Sequence, residues 1–192
     1  MTDLGRDPRW RRMQDPAWTC TCCGQRHGGV FDIAYGHPVA WTGPSEPAPN
    51  SMIAQEEGDI LTVDFCRLGP HRMVRCILPI PIRGAPAGER FAFGVWGSLS
   101  PGNFEAMLAA FDTGQGDLGP YFSWLSNRLP GAPDQPSRCR MEPRAGRQRP
   151  VLVLGDPDNP WTARQQDGIS LDELLDTYAT TGHDLRPGLG DA

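Results

Sequence analysis

The chain has 192 residues, enough for one domain with a sizeable core, and its 39% hydrophobic and 21% charged residues suit a globular protein with long loops. A net charge of -5 disfavours general nucleic-acid binding, which depends on neutralising phosphates. No apolar run is long enough to span a bilayer, and Met1 to Asp15 is charged with no apolar stretch of the kind a secretory leader carries. The expected compartment is therefore the cytoplasm, where thiols stay reduced and clustered cysteines favour a metal over a disulfide.

Residues 1–17 carry Arg6, Arg9, Arg11 and Arg12 around Trp10 and read as a flexible, solvated arm. The next stretch holds three of the six cysteines: Cys20-Thr-Cys22-Cys23-Gly24-Gln-Arg-His27. Two thiolates three positions apart can grip one ion, and the following glycine lets the backbone turn beneath it, as in a zinc knuckle. His27 is a candidate third ligand. Val30 to Tyr35 is a short strand, and 42–50 is a proline-rich loop before a short segment, Met52–Glu57, of no definite type.

A hairpin follows. Asp59–Arg67 and Arg72–Ile82 flank a Leu68-Gly69-Pro70-His71 turn signal. Pro79 and Pro81 cannot donate to a ladder, which assigns that end to an edge. Cys66 and Cys76 have the same parity about the turn, so without a bulge they face the same way and could supply the ligands that the knuckle lacks; the alternative is two small buried apolar residues. Asp64 shares the face of Cys66.

Phe91 to Leu99 is the clearest strand, with Phe91, Phe93 and Val95 on one side and Trp96 on the other, where Gly94 and Gly97 leave room. Ser100-Pro101 starts a helix. Its apolar face is Phe104, Met107, Leu108 and Phe111, and Gly114 and Gly116 end it. Pro120 to Pro130 is an aromatic-rich packed loop or short strand; Trp124 and Tyr121 read as core, and Asn127 as a specific polar contact or a turn residue. The arginines at 138, 140, 144, 147 and 149 read as a solvated loop or hairpin, with an anion-binding or acidic-partner surface as the alternative. Val151–Leu154 is a buried strand. Asp156 and Asp158 lie in ordinary turn chemistry. Ser170-Leu-Asp-Glu173 is a capping box, with Leu171, Leu174, Leu175 and Tyr178 at helical spacing behind it. Gly182 suits the helix end, and His183 stands where a cation suits the dipole. Residues 186–192 read as a frayed tail.

The chemistry centres on the knuckle. Zinc takes four ligands, mostly sulfur or imidazole. Beyond Cys20 and Cys23 the candidates are His27, Cys66, Cys22, Cys76 and His183. Thiolate sites accept iron as well as zinc. The sequence contains no zinc-protease, deaminase, phosphate-loop or dinucleotide motif. A redox role for Cys20 and Cys23 is possible, but the glycine and histidine after them fit a knuckle better.

Several stretches, taken together and in order, resemble an uncharacterised bacterial family, the domain of unknown function 2199 family. They are Cys20-x-x-Cys23-Gly24-x-x-His27, Asp64-Phe65-Cys66, Phe93 to Ser100 with Asn103-Phe104, Trp124 to Pro130, and Asn159-Pro160 with Gln165 and Gly168-Ile169-Ser170. The resemblance spans roughly 18–183. That family has no established activity, so the resemblance implies an architecture and adds weight to Cys20, Cys23, His27 and Cys66 as a set. The chain departs from the family pattern at Asn159, Arg164 and Ser123, where the pattern tends to histidine, glutamate and glycine.

The expected fold is one α+β domain over 18–185, with a mostly antiparallel sheet, two or more helices, and a zinc knuckle clipping the N-terminal segment to the central hairpin. The expected ligands are Cys20, Cys23, His27 and Cys66, with Trp96, Trp124 and Asn127 as possible pocket or contact residues. The expected function is a zinc-stabilised cytoplasmic module that binds or regulates a protein partner; the alternative is a small metal-dependent hydrolase or thiol enzyme. Nucleic acid and membrane are not expected partners.

Overall fold

The computed structural model describes residues 3–55, 58–114 and 118–190. Glu56 and Glu57 of the short segment, Gly116 at the expected helix end and the last two residues lie outside that description. The architecture is α+β with a mostly antiparallel sheet, as expected. The strands are β1 (Ile33–Ala34), β2 (Met52–Ala54), β3 (Ile60–Thr62), β4 (Phe65–Leu68), β5 (His71–Pro81), β6 (Arg90–Leu99), β7 (Tyr121–Trp124), β8 (Arg138–Glu142) and β9 (Val151–Leu154). The helices are α1 (Pro8–Gln14), α2 (Pro101–Thr113), α3 (Pro160–Asp167), α4 (Leu171–Thr180) and α5 (Arg186–Leu189).

Within these residues the chain separates into two compact units, and β5, β6 and α3 contribute residues to each. The first unit combines residues up to Asp32 with 79–92 and 163–190. The second combines 33–78 with 93–162.

In the first unit, the stretch expected as a free arm is helical. Asp7 caps α1 by accepting from the Arg9 N–H, Pro8 fills the first turn, and Trp10 and Met13 are buried. Charge in the sequence masked an apolar pair three apart, which is one helix face. The tail likewise forms α5, with Leu189 buried. The capping box of α4 is present in both directions: Ser170 accepts from the Glu173 N–H, and the Glu173 carboxylate accepts from the Ser170 N–H. Leu171, Leu174, Leu175 and Tyr178 are buried, as the periodicity predicts.

In the second unit the pairings run β2-β3-β4-β5-β9-β8-β7, and β6 pairs with β5 and β1. A bridge between Gly97 and Leu125, with the Ser126 N–H donating to the Trp96 carbonyl, joins β6 to the end of β7. The pairings among β5, β6, β7, β8 and β9 thus close into a ring. Gly97 permits the approach: a Cβ there would lie 2.7 Å from Ser123 Oγ and 2.8 Å from Met141 Cε. β5 is an interior strand, but its pairing with β9 is confined to Ile77 and Val151, so Pro79 and Pro81 fall past it. α2 has the expected Ser100 cap and ends on Gly114 in the left-handed conformation. α3 was not legible as a helix; Asn159 starts it by accepting from the Trp161 N–H.

The hairpin register corrects one expectation. β4 and β5 are joined through Gly69-Pro70 alone, with Leu68 opposite His71, so Cys66 sits opposite Met73. Residues that face each other across an even-numbered turn have opposite parity, so Cys66 and Cys76, both even-numbered, lie on opposite faces.

Candidate metal centre

The knuckle folds as its local sequence dictates. The Gly24 N–H donates to the Cys20 carbonyl at 2.8 Å, and the Cys20 N–H donates to the Gln25 carbonyl at 2.8 Å. Gly24 sits at φ +71°, where a side chain would be strained. The turn brings Cys23 Sγ to 3.3 Å from His27 Nε2. Cys20 is buried, Cys23 exposed and His27 half-buried.

The fourth donor comes from the far end of the chain. Gly182, at φ +85°, releases the chain from α4, and the His183 N–H donates to the Tyr178 carbonyl at 2.9 Å. His183 Nε2 then lies 3.4 Å from Cys20 Sγ. The donor atoms of Cys20, Cys23, His27 and His183 all lie within 4.8 Å of one another, the one such grouping among the described residues.

Tyr178 ties the two segments together. Its hydroxyl donates to the Phe31 carbonyl at 2.7 Å and accepts from the Phe31 N–H at 3.1 Å. The Phe31 ring stacks on Tyr178 on one side and on His27 on the other, each at 4.2 Å between centroids. Burial pushes the Tyr178 phenol up, which keeps it a neutral donor. Burial, with the neighbouring His183 ring, holds His27 below the usual imidazole range, which favours the neutral form that ligates metals.

The donor set fits a metal ion. Tetrahedral zinc with two thiolates and two imidazoles places sulfur and nitrogen roughly 3.5 Å apart. The two sulfur–nitrogen distances of 3.3 and 3.4 Å match that edge. Closing the widest pair from 4.8 Å needs a contraction of about 1 Å.

Cys66 does not join this group. It is fully buried in a cluster with Trp41, Leu61, Met73 and Trp96, and burial pushes its thiol up to about 12. It is the small apolar residue that the alternative reading described. The donor group therefore joins Cys20, Cys23 and His27 to His183 at the end of α4 and not to the central hairpin. Cys76 is buried too; its thiol donates to the Val74 carbonyl, and burial raises it. Cys22 is exposed beside the group, with its sulfur 3.6 Å from the Gly182 carbonyl.

The other expected contact residues divide. Trp96 is core, its indole donating to the Tyr35 carbonyl at 3.0 Å. Asn127 is a buried bracket: Oδ1 accepts from the Trp96 N–H at 2.7 Å and Nδ2 donates to the His37 carbonyl at 2.9 Å. Trp124, expected in the core, is 41% exposed, because alternation along β7 turns Ser123 inward and Phe122 and Trp124 outward. The loop arginines are largely engaged: Arg149 pairs with Asp64 at 2.7 Å, and Arg147 donates to the Asp112 carbonyl at 2.7 Å.

A family model described as "Uncharacterized protein conserved in bacteria (DUF2199)" matches residues 19–169, and the chain belongs to that family. The match includes Cys20, Cys23 and His27 and stops short of His183. No curated protein and no solved structure matches the chain. Among the described residues no helix is long and apolar enough to cross a membrane.

Proposed function

We propose that this DUF2199 member is a cytoplasmic, zinc-stabilised protein whose metal site is a structural clip, and that it works by binding or regulating a protein partner. The observation that carries the reading is the convergence of two thiols and two imidazoles from opposite ends of the chain within 4.8 Å. Four protein donors complete a tetrahedron and leave no position for a substrate or an activated water, which separates structural from catalytic zinc. The metal would hold the knuckle against the His183 turn, and the chain's activity is assigned to its surface. Six free cysteines suit a reducing compartment.

The test is elemental analysis of untagged protein with a free-thiol count before and after chelation. About one zinc per chain, with thiols released and folding lost on chelation, supports the clip. No metal, with reactive thiols at Cys20 to Cys23, overturns it and favours thiol chemistry. The partner role is tested separately by comparing affinity capture on wild-type protein and on the Cys23→Ser variant. A stoichiometric bound protein that is lost with the variant supports it, and none on either overturns it.

A further inference from the structure

A cavity of about 760 Å³ opens on the second unit, lined by Val39, Met73, Trp124, Arg138, Asp156 and Asp158 among others. Its size suits a small organic ligand. Trp124 presents its indole at the mouth, 41% exposed, with Val39 68% exposed beside it. Phe122 meets Trp124 edge-on at 5.3 Å, and the Trp124 N–H donates to Ser98 Oγ at 3.2 Å, so the platform is braced from ring and backbone.

The charges around the indole are unspent. Arg138 stands directly across the strand pair from Trp124. Its carbonyl accepts from the Gly155 N–H at 2.9 Å, which brings the chain next to Asp156. No ion pair joins the guanidinium to Asp156 or Asp158, although the three line one cavity. Asp156 Oδ1 accepts only from the Asp158 N–H, at 3.1 Å. Arg140, on the same strand, does pair with a carboxylate, Glu142, at 2.7 Å. Here a cation and two carboxylates line one cavity with an aromatic surface, Arg138 next to Trp124 and Asp156 beyond it.

We infer that this cavity binds a small zwitterion with an aromatic or large apolar body, an amino acid or short peptide. The ligand carboxylate pairs with the fork of Arg138, the ammonium with Asp156 and Asp158, and the apolar body lies on Trp124 and Val39. None of the lining residues is one of the four proposed metal donors, so the inference stands apart from the zinc reading.

The test is calorimetric titration of the full, metal-replete chain with L-phenylalanine and, separately, with alanyl-phenylalanine. Saturable, equimolar binding of either supports the assignment, and which one binds tells a free amino acid from a peptide. N-acetylphenylalanine and phenylalaninamide, each lacking one charge, are expected to bind roughly tenfold or more weaker, as are the Arg138→Gln and Asp156→Asn variants. Trp124→Ala is expected to weaken binding as well. These side chains are exposed or half-buried, so circular dichroism should match wild type. No saturable binding of either ligand at millimolar concentration, or binding indifferent to both charge-removing variants, overturns the proposal.

Discussion

The sharpest contrast in the structure is between His183 and Cys66, and paired substitutions exploit it. His183→Ala removes one of four proposed donors. Structural zinc is held by roughly 10–16 kcal/mol in small domains, so an equal share per donor is about 3 kcal/mol. That corresponds to roughly a hundredfold loss of metal affinity. Cys66→Ala removes a sulfur from a site that is 0% exposed and packed by Trp41, Leu61, Met73 and Trp96. The resulting void costs about 1–2 kcal/mol of stability and should leave metal affinity unchanged. The assay is competition with a chromogenic chelator, alongside thermal unfolding of the metal-loaded proteins. If Cys66→Ala lost the metal while His183→Ala kept it, the donor set described above would be wrong and the hairpin clip right.

Other outcomes follow from the same geometry. With metal bound, a thiol reagent should modify Cys22 first; chelation should release Cys20 and Cys23 and, because the fold is lost with the metal, then expose the buried Cys66, Cys76 and Cys139, whose thiols burial raises in the folded chain. Tyr178→Phe deletes both hydroxyl contacts to Phe31 and should weaken metal binding roughly tenfold or more, measured by the same competition. Asn127→Ala leaves the Trp96 N–H and the His37 carbonyl without their partner, for a loss of about 2–4 kcal/mol in denaturant unfolding. The Arg9 guanidinium holds the Asp7 carboxyl below the usual range, against the opposing effect of burial. Its stabilising contribution is complete above about pH 4 and is lost as pH falls through the lower folded value, so Asp7→Asn should flatten the acid limb of a stability–pH curve.

Much of this was written locally in the sequence. The Cys20 to His27 spacing, the Ser170 and Glu173 box and the Ser100 cap each act within a few residues, and each forms as read. The fourth donor depends on a contact between residues 20 and 183, which no local pattern encodes. Its trace was slight: a histidine immediately after a helix-ending glycine, one of only four histidines in the chain. Cys66 was misassigned because residues that face each other across an even-numbered turn have opposite parity, so it cannot share a face with Cys76. Trp124 was misread because bulk favours burial in general, while the pleat of a four-residue strand decided otherwise. The α1 face was hidden because Trp10 and Met13 are interleaved with arginines that reach solvent.

Zinc-edge X-ray absorption on the metal-loaded full chain tests the central claim most directly. The account predicts a four-coordinate shell of two sulfurs at about 2.3 Å and two nitrogens at about 2.0 Å. A shell of three sulfurs and one nitrogen, or a chain that takes up no zinc, would contradict it.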